Sequence, residues 1–158
     1  MKIYYREKSG GIEILRCYGI ENRVEIPEMI DEKIVISAAP YAFSSHMDET
    51  EELKNASVWE LEDGFGFGRE ERVLAGNEVE EIVFPDSLRE IGRYIFYGCG
   101  NLKKLEFSDS LMQIGCGAFT GCHALEKLTV HMKQGKKSGV KEMLGEMWQR
   151  IDVTFLYA

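Results

Sequence analysis

Between Val79 and Val130 the apolar residues recur in one pattern. Each unit opens with apolar residues at its first, fourth and sixth positions, as in Leu102, Leu105 and Phe107. Leu105 and Phe107 alternate with Lys104, Glu106 and Ser108, the period-two pattern of a strand with one buried face. Pro85 or Ser108, with the Asp-Ser that follows, predicts a turn. A second apolar pair, Leu111 and Ile114, then brings the chain back along an opposite wall. Gly115 suits the corner because it carries no Cβ. Ala118-Phe119 predicts a brief helical or 3-10 turn that Gly121 can end, and Cys122 is a small buried filler.

Set against itself at an offset of 23, the segment Val79–Asn101 matches Leu102–Ala124 at nine of 23 positions. The identities include Phe84/Phe107, Leu88/Leu111, Ile91/Ile114, Gly92/Gly115, Phe96/Phe119 and Cys99/Cys122. A third copy begins at Leu125, with Leu128 and Val130 under Leu105 and Phe107. A fixed period in this range marks a solenoid, whose units bury their apolar faces only by stacking on neighbours. Inward positions then become columns: Ile82/Leu105/Leu128, Phe84/Phe107/Val130 and Phe96/Phe119.

The stretches FPDSLREIGRYIFYGC and FSDSLMQIGCGAFTGC resemble the BspA-type leucine-rich repeats of bacteria, whose pattern is roughly L-x-x-I-x-I-P-x-S-V-x-x-I-G-x-x-A-F-x-G-C. The resemblance implies an α/β fold: a right-handed leucine-rich-repeat solenoid with a parallel β-sheet on one wall and short helical or 3-10 turns. It also implies a scaffold for protein–protein contact, since members of that family serve this role, several of them on cell surfaces.

The rest of the chain divides around this block. Residues 1–23 hold two predicted strands, Ile3–Arg6 and Ile12–Tyr18, joined by Glu7-Lys8-Ser9-Gly10-Gly11, a hairpin placed to cap the coil. Residues 24–43 read as a degenerate first repeat. Val24-Glu25-Ile26-Pro27 matches Ile82-Val83-Phe84-Pro85, and Tyr41-Ala42-Phe43 matches Tyr94-Ile95-Phe96, with about five extra residues around Ile30–Lys33. Residues 44–78 lose the period, residues 79–130 are the regular repeats, and residues 131–158 hold a helix and a terminal strand. In that last part Lys133-Gln134-Gly135-Lys136-Lys137 is a basic connection and Ser138 a predicted N-cap. Val140, Met143, Leu144, Met147, Trp148 and Ile151 follow at helical spacing as a core stripe. One period on from Leu128 and Val130 lie Ile151 and Val153, which places the next rung at Gln149–Phe155. No polar closing cap follows, so either more chain or a partner is expected at that edge.

Charge concentrates in the insertion. Residues 44–78 carry ten acidic side chains against Lys54, Arg69 and Arg72, so −7 of the net −8 lies there. Asp48–Asn55 could be a short helix and Ser57–Leu61 a strand. Gly64-Phe65-Gly66-Phe67-Gly68 lacks the spacing and preceding strand of a phosphate cradle, and its acidic flanks repel phosphate. The segment either packs Trp59, Phe65 and Phe67 on the solenoid flank or contacts a partner through its acidic and aromatic residues. The acidic balance argues against nucleic acid or an anionic membrane surface as a partner. There is no apolar leader and no run long enough to span a bilayer, so the chain as written reads as cytoplasmic, or as a cell-surface protein if a leader has been removed.

No catalytic arrangement is legible, and neither a cofactor, a metal nor a small-molecule substrate is expected. Cys99 and Cys122 fall at the same position of adjacent coils, roughly 5 Å apart at the inter-strand spacing, which lies within disulfide range. Without a secretion signal, reduced buried thiols are the expected state. Cys116 takes an outward position and is the thiol to test for reactivity. His46, His123 and His131 cluster with nothing in sequence. The expected binding surface is the outward strand face along one concave wall: Glu81, Val83, Lys104, Glu106, Lys127, Thr129 and His131. Its expected occupant is a protein. The alternative to a binding module is a structural spacer or capping segment of a larger surface or assembly protein.

Overall fold

The computed structural model describes residues 1–45, 53–61, 72–76, 78–145 and 147–157. The chain begins with β1 (Lys2–Lys8) and β2 (Gly11–Gly19), an antiparallel hairpin that turns at Ser9 and Gly10, both left-handed. It then winds through a coil with two walls. In the first turn, β3 (Arg23–Glu25) leads through β4 (Met29–Ile30) to β5 (Lys33–Ala38). β4 and β5 form a tight hairpin whose two central residues, Asp31 and Glu32, both have positive φ, as a two-residue turn of this hand requires. This excursion is the extra length expected near Ile30–Lys33.

Next come β6 (Ser57–Glu60) and β7 (Arg72–Val73) from the insertion, then β8 (Glu81–Val83) and β9 (Glu90–Ile91), the two rungs of the second turn. The third turn is β10 (Lys104–Ser108) and β11 (Gln113–Ile114). The fourth opens with β12 (Lys127–Met132), and the last strand is β13 (Asp152–Tyr157). On the first wall β3, β8, β10, β12 and β13 pair in parallel in that order, so the coil makes about five turns. Leu105 stands between Ile82 and Leu128, and Phe107 beside Val130. On the second wall β2, β5, β9 and β11 pair in parallel, with β1 and then β6 added antiparallel beyond β2. The insertion therefore contributes the strand expected at Ser57–Leu61 and lays it on the hairpin. Leu53–Asn55 is a turn; the rest of the expected helix, and the Gly64–Gly68 run with Phe65 and Phe67, lie outside the described residues.

Both walls face one continuous core. Ile3, Ile12, Ile14 and Cys17 of the hairpin belong to it together with Val24, Ile82, Leu105 and Leu128 of the coil, and Trp59 packs against its rim. Phe43, Phe96 and Phe119 form a ring column at centroid spacings of 6.1 and 5.8 Å. The glycines after β9 and β11 are needed for room, not for a special φ. A Cβ on Gly115 would lie 2.2 Å from the Arg93 nitrogen, and one on Gly92 2.3 Å from the Pro40 nitrogen, because each coil crosses the backbone of the one before.

The repeat corners hold pairs of tight turns with bonds three residues apart: Tyr97 N–H donates to Tyr94 O (3.0 Å) and Cys99 N–H to Phe96 O (2.9 Å), with Thr120 and Cys122 repeating the pair one coil on. Each corner enters through a left-handed residue, Tyr41, Tyr94 or Gly117, and the two tyrosines stack at 5.6 Å. Among the described residues regular helical segments come only after β12: a 3-10 turn at Gly135–Lys137, α1 (Val140–Leu144) and α2 (Met147–Arg150). The last rung is shifted. Val153 sits beside Leu128 and Phe155 beside Val130, two residues later than one period predicts, because α2 holds the chain helical to Arg150. Ser138 lies one residue before the N-cap Gly139, and its hydroxyl accepts the Val140 N–H. Val140 and Leu144 are buried, and Met143, Met147 and Ile151 pack against the core; the Trp148 side chain is outside the described ones.

Candidate functional site

Alternation along the first wall decides which side chains reach solvent. Ile82, Leu105, Phe107, Leu128 and Val130 point into the core, so their neighbours point out. All seven residues expected on this face are there: Glu81 and Val83, Lys104 and Glu106, and Lys127, Thr129 and His131, each half-buried or exposed.

Parallel pairing sorts them into rows across the strands. One row runs Arg23, Glu81, Lys104, Lys127, Asp152, and the next Glu25, Val83, Glu106, Thr129, Thr154. A shorter third row holds Ser108, His131 and Leu156. Arg23, Glu25, Asp152, Thr154 and Leu156 extend the face beyond the seven expected positions. The first two were legible in the match of Val24–Pro27 to the later units. The last three were hidden by the shifted register.

The rows mix charge at short range. Arg23 bridges Glu25 (3.1 Å) and Glu81 (3.5 Å), and these carboxylates, Glu25 foremost, hold its guanidinium pKa above the ordinary value. His131 pairs through Nε2 with the Glu106 carboxylate on the neighbouring strand. Lys104 and Lys127 stand side by side, with Glu81 and Asp152 outside them. Such exposed pairs add little to stability but make a patterned surface for a complementary partner.

Three of the four thiols, Cys17, Cys99 and Cys122, turn toward the interior. Cys99 Sγ donates to the carbonyl of Phe43 (3.1 Å) and Cys122 Sγ to that of Phe96 (3.3 Å), each reaching the same residue of the preceding coil. Burial pushes Cys99 up to about 11, and Cys17 and Cys122 up to about 12. Cys116 is exposed. Among the described residues no group of three or more His, Cys, Asp or Glu side chains could hold a metal ion, and no helix is long and apolar enough to cross a membrane.

A family model described as a BspA type leucine rich repeat region (6 copies) matches residues 70–139. That stretch is a BspA-type leucine-rich repeat region. No curated protein and no solved structure matches the chain. The match takes in β8 to β12 and omits β3 and β13, yet both pair in register with strands inside it, so the coil extends one rung past the BspA-type region on each side. Leucine-rich repeats build scaffolds for protein contact and are typically non-catalytic.

Proposed function

We propose that this chain is a non-catalytic binding module that engages a protein partner through the outer face of the five-stranded sheet. The observation that carries this reading is the register of the first wall. Five parallel rungs bring Glu81, Val83, Lys104, Glu106, Lys127, Thr129 and His131 into continuous rows although they come from three separate segments. A stacked coil holds such rows rigidly, which lowers the ordering cost of binding. On the same reading residues 1–23 cap the coil, residues 24–43 are its degenerate first repeat, residues 44–78 are an insertion, residues 79–130 are the regular repeats, and residues 131–158 hold a helix and the terminal strand. Net charge of −8 and the mixed signs of the face, with Glu81, Glu106 and Asp152 among its lysines, favour a protein over a polyanion.

The test is affinity capture from cells of the source organism, with unaltered chain and the double variant Lys104→Glu, Glu106→Lys run in parallel. A partner held by the unaltered chain and lost by the variant supports the reading. A capture that does not change with this double reversal removes the sheet face as the binding surface. A chain that retains nothing is better described as a spacer.

A further inference from the structure

The second wall ends at β11, and the next rung is not built. One period after Ile114 the chain has Lys137, at the end of the 3-10 turn Gly135–Lys137. A groove of about 660 Å³ opens there, across the corners of the first three turns. Its apolar surface comes from Ile34, Met112 and Met143, and its charge from Arg89 and Lys137. Ile34 is 38% and Met112 76% exposed, so this is uncovered apolar surface, not core. Its volume falls within the roughly 300–1,000 Å³ of ligand sites.

The electrostatics of the groove oppose those of the whole molecule. Eight described cations are bridged to carboxylates: Lys2, Arg6, Lys8, Arg23, Lys33, Arg72, Lys103 and Lys133. Arg89 and Lys137 have no carboxylate partner among the described residues. The single acidic residue of the lining, Asp109, is buried and already accepts the N–H groups of Lys133 (2.6 Å) and Gln134 (2.8 Å). Asp109 shapes the groove with its oxygens turned to backbone N–H groups, and Arg89 and Lys137 leave the lining with a net charge of +1, against −8 for the whole chain.

We propose that this groove is a second binding site, which takes an acidic peptide segment carrying large apolar side chains. Flexible methionines accommodate varied apolar groups, and Arg89 and Lys137 pair with carboxylates on either side of them. The site lies at the turns between the two walls, and none of the seven sheet-face residues lines it.

The probe is a fluorescently labelled peptide of alternating Glu and Leu, titrated into the full chain and followed by anisotropy. A Gln/Leu peptide of equal length and decanoate serve as controls. Saturable binding is expected that weakens as salt is raised and falls about tenfold in the double variant Arg89→Glu, Lys137→Glu. Met112→Ser, at a position 76% exposed, should weaken it several-fold with the unfolding midpoint unchanged. Lys104→Glu should leave it unchanged, which separates this site from the sheet face. Equal binding of the Gln/Leu peptide, no loss in the charge-reversed variant, or saturation by decanoate without the acidic peptide would each overturn the proposal.

Discussion

At the first rung of the five-stranded sheet Val24 is fully buried and Ile26 is 3% exposed. At the last, Val153 and Phe155 occupy the same two columns and are only half-buried. The repeat supplies apolar side chains at both ends, so the difference comes from what lies against them. Near the first rung the β1–β2 hairpin extends the second wall and sends Ile3, Ile12, Ile14 and Cys17 into the shared core. Near the last rung the described residues offer the short helical segments that precede it, with Val140 and Leu144 buried and the Lys141 ammonium 4.9 Å from the Phe155 ring centre. A repeated position therefore has no fixed energetic value. Its contribution depends on having a neighbour on both sides.

The phenylalanine column makes this measurable. Phe96 is fully buried between Phe43 and Phe119, whereas Phe119 has a ring on one side only and is half-buried. Phe96→Ala should cost ~3–5 kcal/mol, with Phe119→Ala nearer ~2 kcal/mol because its site is already part-solvated and leaves less cavity. Urea unfolding of both variants at unchanged slope gives the two values. Equal losses would mean that the third turn is as well covered as the second, and the contrast between interior and end would fail.

Glycines sharpen the same contrast through crowding. Gly115 lies where one coil crosses another, and an added methyl would meet the Arg93 backbone at 2.2 and 2.5 Å. Backbone cannot rotate aside as a side chain can, so Gly115→Ala should destabilise by ~1–3 kcal/mol or more. Gly139 follows the repeats, has nothing within 4 Å of a built Cβ and lacks a positive φ, so Gly139→Ala should stay within ~0.5 kcal/mol. Thermal unfolding compares them directly, and a Gly115→Ala chain as stable as the parent would show that a methyl group fits between the two coils.

The parts legible in the sequence were those the repeat itself dictates. Nine identities fixed which residues stack, and the expected columns and the outward face from Glu81 to His131 followed from alternation alone. The match of Val24–Pro27 to Ile82–Pro85 likewise placed the first rung. The reading failed where tertiary context overrides local pattern. The crowding at Gly115 comes from the Arg93 backbone, 22 residues earlier, and composition carries no trace of that. The last rung slipped by two residues because the spacing of Met147 to Ile151 suits helix and strand alike until α2 is seen to run to Arg150. The groove was hidden because Ile34, Arg89, Met112 and Lys137 each read as unremarkable surface positions and meet only through the topology.

Cysteine chemistry gives the finest test, since Cys99 and Cys122 hold one repeat position in two different settings. Both donate to a carbonyl one coil back, but Cys99 is 1% exposed and Cys122 is half-buried. With Ellman's reagent at mildly alkaline pH, Cys116 should react first, Cys122 more slowly, and Cys99 and Cys17 only as fast as the chain opens. The pH dependence has a definite sign. Burial raises the folded thiols from an ordinary value near 9 to about 11 for Cys99 and about 12 for Cys122, so between those limits the folded chain binds more protons than the unfolded one. The contribution of these thiols is fully present below pH ~9 and lost as pH rises through about 11 to 12. Relative to a Cys99→Ala, Cys122→Ala chain, which cancels the titration of lysines and tyrosines, the parent should lose stability over that window. A constant difference would mean that the thiols are solvated, and equal labelling rates at Cys99 and Cys122 would mean that interior and end open together.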